Sequence, residues 1–192
     1  MERRLRLFDD SGLLSIVDLR RYSPFVGDDW TYEQLLRKFQ RAMAEQAMLV
    51  WDCGDGGGPY DVLLRSGLTT QRGFREATGS VRTAPGKLHF VSYDALTMAA
   101  QFADEKLPAK TESEFAFDVA GDVRIRVVQM FDPRRTTEIP EREVHFIIEV
   151  EPGDAPPWTA VAWQMSPAAE APPTPSAKVG LARLRGLLRR FR

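Results

Sequence analysis

Acid-base chemistry near neutral pH falls first to histidine, and this chain of 192 residues holds two, His89 and His145. Each sits in an alternating apolar run, Lys87-Leu88-His89-Phe90-Val91 and Val144-His145-Phe146-Ile147, the setting of a strand residue beside a buried face. The pattern favours a structural role for both. Only if they faced each other across neighbouring strands would they form an acid-base or metal-binding pair. Cys53 is the one cysteine, so no intramolecular disulfide forms and a zinc site would need other ligand types. It opens the run Gly54-Asp55-Gly56-Gly57-Gly58, which has the composition of a phosphate cradle but lacks the Gly-Lys-Ser/Thr and the following helix that such a cradle uses. Asp52, Asp55 and Asp61 flank that run without the spacing of a calcium loop, and read as turn carboxylates. No catalytic residue, metal ligand or cofactor is assigned from these groups, and no small-molecule substrate is expected.

The densest polar-aromatic cluster of the body is Asp28-Asp29-Trp30. One reading is local, with the carboxylates favouring the helix dipole and Trp30 stapling the helix start. The other makes Asp28, Asp29 and Trp30 a contact surface for a protein partner, since a tryptophan rimmed by charge suits a binding hot spot.

The elements that must position these groups follow from periodicity. Thr31-Tyr32-Glu33-Gln34 is a capping box, and Leu35, Leu36, Phe39, Ala42 and Met43 recur at helical spacing, which predicts a helix over about 31–47 with one apolar stripe. Strands are predicted at 13–19, 47–52, 60–65, 74–83, 87–93, 114–119, 123–131 and 144–150. Turn chemistry at 53–59, at Ala84-Pro85-Gly86 and at Ala120-Gly121-Asp122 joins six of these into three predicted hairpins. Residues 94–108 fit either a short helix capped by Asp94 or another strand. The sum is a mainly β chain: an antiparallel β-sandwich-like body with one packed α-helix over an end or edge, plus a C-terminal basic amphipathic helix.

The division predicted along the chain is a β-rich body over 1–151, a linker over 152–177 that holds seven of the 13 prolines, and a tail over 178–192. Trp158 and Trp163 lie in the linker, and flexible linkers seldom carry tryptophan, so both are candidates to dock on the body. From Ser176 onward there are six basic residues and no acid, while the preceding chain sets 20 basic against 27 acidic side chains. An acidic body therefore carries a basic tail. The overall balance excludes a whole-surface basic footprint, and nucleic acid is not the expected partner.

As a helix, the tail would gather Leu181, Leu184, Leu187, Leu188 and Phe191 within an arc of about 120 degrees. Arg183, Arg185, Arg189 and Arg190 fall outside that arc. Gly180 and Gly186 weaken such a helix by roughly 1 kcal/mol each, so it needs a surface to form on. Arg183, Leu184, Arg185, Leu188, Arg189, Arg190 and Phe191 are accordingly candidate attachment residues for an anionic membrane, a partner groove or the acidic body itself. Met1-Glu2-Arg3-Arg4-Leu5-Arg6-Leu7-Phe8-Asp9-Asp10 reaches carboxylates before any apolar signal core, and a cytoplasmic location, with peripheral membrane attachment through the tail, is expected.

An early strand, Trp30-Thr31 leading into a helix, a strand pair, Gly73-Phe74 through Val91, and Phe117 to Val128 before Ile147 form an order that resembles the competence-J family of small bacterial nuclease inhibitors. The resemblance covers about residues 13–150 and includes Trp30, Phe74, Leu107-Pro108 and Gly121. It implies a β-rich protein that acts by occupying a partner, nuclease or toxin-like, with no catalytic residues to transfer. The competing classes are a metal-assisted enzyme using His89 or His145, and a structural subunit of a larger assembly. Deleting residues 178–192 is expected to abolish co-sedimentation with anionic vesicles; equal sedimentation of full and truncated chains would remove the membrane reading of the tail.

Overall fold

A computed structural model describes residues 2–54, 57–83, 86–107, 115–134 and 143–164. Nine strands form two sheets: β1 (Glu2–Asp9), β2 (Leu13–Val17), β3 (Met48–Asp52), β4 (Gly58–Ser66), β5 (Arg75–Val81), β6 (Gly86–Ser92), β7 (Phe115–Val119), β8 (Val123–Gln129) and β9 (Phe146–Pro152). One sheet has the order β1-β4-β9-β8-β5 and the other β3-β2-β6-β7. The described helices are α1 (Tyr32–Ala44) and α2 (Tyr93–Gln101), and neither is long and apolar enough to cross a membrane.

The body is a β-sandwich, mainly β as expected, with three corrections. The sheets are not wholly antiparallel, because β4 and β9 pair in parallel from Val62 beside Phe146 to Ser66 beside Val150. A second helix joins the packed one among the described residues, since 93–101, left open between helix and strand, form α2 under the cap of the Ser92 side chain and not of Asp94; Ser92 Oγ accepts the Ala95 N–H at 3.3 Å. And the three predicted hairpins are absent: β3 and β4, β5 and β6, and β7 and β8 each divide between the two sheets. Eight of the nine described strands fall where the sequence predicts them, β1 was missed, and the predicted pairing was wrong. Alternation reports which side chains face the core, and both sheets face the same one, so a strand that bends back on its neighbour and one that crosses to the opposite sheet carry one pattern.

The shared core holds Leu7, Leu14, Ile16, Leu49, Trp51, Tyr60, Val62, Leu64, Leu88, Phe90, Ile125, Val127, Phe146 and Ile148. A second cluster lies on the far face of the four-stranded sheet, where Leu13, Val17, Met48, Val50 and Val91 meet Leu35, Phe39, Ala42 and Met43 of α1 and Ala95, Leu96 and Ala100 of α2. The helices therefore cover a sheet face, not an end or edge. The helix start is as the sequence implies: Thr31 Oγ1 accepts the Gln34 N–H at 3.3 Å and the Gln34 side chain accepts the Thr31 N–H at 2.7 Å.

Residues 153–164 lie on the body. Trp158 packs against both clusters and donates its indole N–H to the Thr78 carbonyl at 2.9 Å. Gly79 makes room for it, since a Cβ there would come within 2.6 Å of the Trp158 indole nitrogen and 2.8 Å of Leu49. Ala162 bridges Trp51 in parallel, and the Asp52 N–H and Ala162 N–H make bonds of 2.9 Å to the Ala162 and Val50 carbonyls. The strap thus runs from the β5 edge of one sheet to the β3 edge of the other. Residues 165–192, including every tail residue named above, lie outside the described residues.

The outer face of the five-stranded sheet buries charge. Arg126, 7% exposed, donates to the fully buried Glu149 at 2.6 Å, to Glu76, and to the carbonyls of Thr69 and Gln71 at 3.0 and 2.6 Å. The segment before β5 is thereby clamped across the sheet, and each charge gains the partners that its desolvation demands. Hydrogen bonding from Arg126 holds the Glu76 carboxyl below its ordinary 4.5, and at the opposite end Asp18 lies below its ordinary 3.8 because bonds from Arg20 and Thr83 outweigh a larger single opposing effect of burial. Depressed carboxyls stabilise the fold above their unfolded pKa values and lose that contribution as pH falls through the folded ones. The part of the urea midpoint that depends on Glu76 is expected to be fully present above its unfolded value of 4.5 and to be lost as pH falls through the lower folded value, with Glu76→Gln removing it; an unchanged acid limb in that variant would refute the assignment.

Candidate functional site

One end of the sandwich gathers the start of α1, the start of α2, the C-terminal end of β3, the N-terminal end of β5 and the end of the strap. Asp9 supports it from beneath. Its carboxylate is fully buried and accepts the N–H groups of Ser11, Leu13 and Tyr93 at 2.9, 3.1 and 2.6 Å, which ties the β1–β2 turn to the first residue of α2. Burial pushes this carboxyl up from its ordinary value, against the pull of those three bonds.

Beside Asp9 stand Tyr93 and Tyr32, both raised, first by burial and then by charge: Asp52 acts on Tyr32, and Tyr32, Asp94 and Asp9 act on Tyr93. The Tyr32 hydroxyl accepts from the Gln164 side chain at 3.1 Å, so the strap ends against the start of α1. Asp28 and Asp29 are exposed in the turn ahead of Thr31. Trp30 is half-buried and packs into the cluster that holds Leu35. Trp30 thus packs beside Leu35 as a staple would, while Asp28, Asp29 and part of the indole face outward.

Across the end of β3 lies a groove of about 400 Å³ lined by Asp52, Gly54, Phe74, Arg75, Asp132, Pro133 and Arg134. Arg75 is its fixed element. The guanidinium donates to the Gln129 side chain at 2.5 Å and the Asp52 carbonyl at 2.7 Å, and its carbon stands 4.5 Å from the Trp163 ring centroid and 5.8 Å from that of Phe74. Burial lowers its pKa from the ordinary value, with Asp52 opposing. Gly54, at φ +82°, is needed twice: for its backbone, and because a Cβ would lie 2.9 Å from Pro133 and 3.0 Å from Arg75. Trp163 also has a left-handed backbone, φ 62°, a conformation a tryptophan holds only where its surroundings determine it. Half-exposed Phe74 completes a wall of two aromatics about one cation.

The histidines are placed apart. His89 lies in β6 between Val17 of β2 and Ala116 of β7, and burial pulls it below its ordinary 6.5. His145 precedes β9 in the other sheet; its Nδ1 accepts the Asp61 N–H at 2.9 Å, its own backbone N–H donates to the Asp61 carbonyl at 2.8 Å, and its ring meets Tyr60 edge to face. The pairing across neighbouring strands that a two-histidine site would need is not formed. Cys53 is fully buried, its N–H bonded to the Gly12 carbonyl at 2.7 Å and its carbonyl accepting from Gln129 at 2.7 Å. Asp52 lines the groove, and Asp61 lines a different concavity with Arg4, Leu5, Arg6 and Glu143; Asp55 lies outside the described residues. Among the described residues no three His, Cys, Asp or Glu side chains gather as a metal site would require.

Sequence reasoning placed Asp28, Asp29 and Trp30 at this end and overlooked Phe74, Arg75 and Asp132 as a constellation, since they come from strand ends far apart in the chain. Trp163 had a signal, a tryptophan in a proline-rich segment.

The class defined by this geometry is a two-sheet β-sandwich with helices against one face. No family model matches the chain, and no curated protein matches it. Two solved structures are similar. The first, described as crocagin biosynthetic gene J, has 14% identity and a TM-score of 0.54, covering 79% of this chain and 97% of its own. The second is ComJ from Bacillus subtilis, an inhibitor of the DNA degrading activity of NucA, with 13% identity and a TM-score of 0.45, covering 78% of this chain and 94% of its own. The competence-J resemblance read from the sequence is met again here, and at such identities the likeness is one of fold. Arg75→Met, which keeps the hydrocarbon stem but strands the Asp52 carbonyl and the Gln129 amide, is expected to cost about 1–3 kcal/mol in urea unfolding; an unchanged midpoint would show that the guanidinium does not brace this end.

Proposed function

We propose that this chain is a non-enzymatic, inhibitor-type binding protein whose acidic body occupies a basic protein partner, nuclease or toxin-like, through the end of the sandwich that carries Asp28, Asp29 and Trp30. The observation that carries the reading is the juxtaposition on that end of exposed carboxylates and partly exposed aromatic rings whose side chains are already held: Trp30 by the helix layer, Tyr32 by Gln164, and Trp163 by Arg75. Rigid aromatic anchors lose little side-chain freedom on binding, and a rim of one charge sign steers a partner of the other. The reactive groups of the body support the same view, because His145 and Cys53 are tied into backbone hydrogen bonding. The competence-J resemblance, which implies action by occupying a partner, agrees with it. The basic tail supplies a second contact, on the partner or on an anionic surface, and raises the effective concentration of the body there. The location is cytoplasmic, in keeping with the single buried cysteine.

The test is titration of the full-length protein into its native lysate, following DNA degradation and recovering what binds. The reading expects one stoichiometric basic protein and falling nuclease activity, and it expects both to be lost in the Asp28→Lys, Asp29→Lys double variant and weakened in Trp30→Ala. Recovery and inhibition unaltered by these substitutions would move recognition elsewhere, and turnover of a small compound abolished by replacing His89 or His145 in a folded variant would overturn the non-enzymatic reading.

A further inference from the structure

A separate concavity of about 230 Å³ lies between α1 and the segment that follows β2, lined by Arg21, Tyr22, Ser23, Lys38, Arg41, Ala42 and Glu45. The four helix residues fall at spacings of three and four, so they form one stripe along α1, and the loop makes the opposite wall. Three cations face one carboxylate here, on a body whose overall charge is negative. A net positive hollow on an acidic surface is a local feature that general solubility does not explain.

Two of its cations are anchored to backbone carbonyls, while Arg41 stands largely in solvent. The Arg21 guanidinium donates to the carbonyls of Glu45 at 2.8 Å and Gln46 at 3.3 Å, and to that of Arg82, which fixes it against the C-terminal end of α1. Lys38 donates one ammonium proton to the Phe25 carbonyl; two remain, and burial lowers its pKa from the ordinary value, the sign of a cation short of counter-charge. Arg41 meets Glu45 at 3.3 Å through Nε alone, so both its terminal nitrogens keep their protons. Tyr22 lines the hollow but is only 5% exposed, and its hydroxyl, closed to solvent, has no hydrogen-bond partner among the described residues.

We propose that this groove binds a compact oxyanion of the phosphate class, held by Arg21, Lys38 and Arg41 and by the Ser23 hydroxyl. A tetrahedral group offers acceptor oxygens in several directions and so suits donors arriving from two walls, and its charge supplies what Lys38 and Arg41 lack. The site stands whether or not the other end of the molecule binds a protein, since none of its residues belongs to that surface.

The test follows amide resonances of the full-length protein during titration with inorganic phosphate, against sodium chloride at matched ionic strength. The expected result is a saturable shift in residues 21–23 and 38–45 with phosphate and not with chloride. Lys38→Met and Arg41→Gln should each weaken the affinity about tenfold, the worth of one charge-assisted bond. Tyr22→Phe should leave both the affinity and the thermal midpoint in chloride undiminished, because the hydroxyl it removes is unpartnered among the described residues and closed off from the hollow. Phenyl phosphate, titrated in parallel, separates the sources: binding equal to that of the free ion assigns a phosphate ester, and exclusion assigns the inorganic ion. Shifts equal in phosphate and chloride, or phosphate shifts retained in the folded Lys38→Met and Arg41→Gln variants, would overturn the site.

Discussion

Burial of the four-stranded sheet on both faces is the constraint from which the rest of this molecule follows. Every residue of β2, Leu13-Leu14-Ser15-Ile16-Val17, is buried, and β3 is buried through Trp51. Such a sheet needs a cover on each side. The five-stranded sheet supplies one, and α1 and α2 supply the other. The polar residue caught inside is provided for, as the Ser15 hydroxyl donates to the Val91 carbonyl at 2.7 Å. The outer sheet edge at β3 still offers backbone groups, and the strap answers them through Asp52, Val50 and Ala162, which is how a proline-rich segment comes to lie in order against the body. An uncovered edge beside an apolar interior would invite pairing with another chain.

The same constraint determines how much could be read from the sequence. α1 was legible almost to its ends because its signals are local: a capping box, a stripe, a basic last turn. The strands were legible because one of their faces is apolar. Sheet membership was not, since Trp51 of β3 and Tyr60 of β4 point into one shared core from opposite sides, and period two is silent about which side. β1 was overlooked because its inward Leu5 and Leu7 are spaced among Glu2, Arg3, Arg4, Arg6 and Asp9. Residues 93–101 stayed ambiguous because the segment is only nine residues long and largely apolar, so its period is hard to tell although Ala95, Ala99 and Ala100 favour a helix.

Site residues divided along the same line. Asp28, Asp29 and Trp30 could be found because they are consecutive and precede a helix. The Phe74, Arg75, Asp132 and Trp163 constellation is assembled by topology alone: β5 lies at the edge of one sheet, β3 at the edge of the other, and the strap spans the gap. Arg75 belongs structurally to that gap, since its partners Gln129 and Asp52 come one from each sheet. The cation that shapes the groove is thus also a brace between the layers.

This dual role explains why the aromatic rings at this end can remain partly exposed without collapsing onto one another. A flexible cluster of Phe74, Trp163 and Tyr32 would bury its own surface and present little to a partner. Here the rings are held by two polar contacts, the Arg75 guanidinium for Phe74 and Trp163 and the Gln164 amide for Tyr32, so they are separated by groups that resist desolvation. Recognition by preorganised rings makes a distinct demand on the fold: the layers must not slide. Trp158, seated over Gly79 and touching both apolar clusters, and the Gln46 side chain, bonded to Asp154 at 2.7 Å, lock the strap to both sheets at points remote from the aromatic end. The stability of the sandwich edge and the fixed spacing of these rings are therefore one property, carried by one segment of chain.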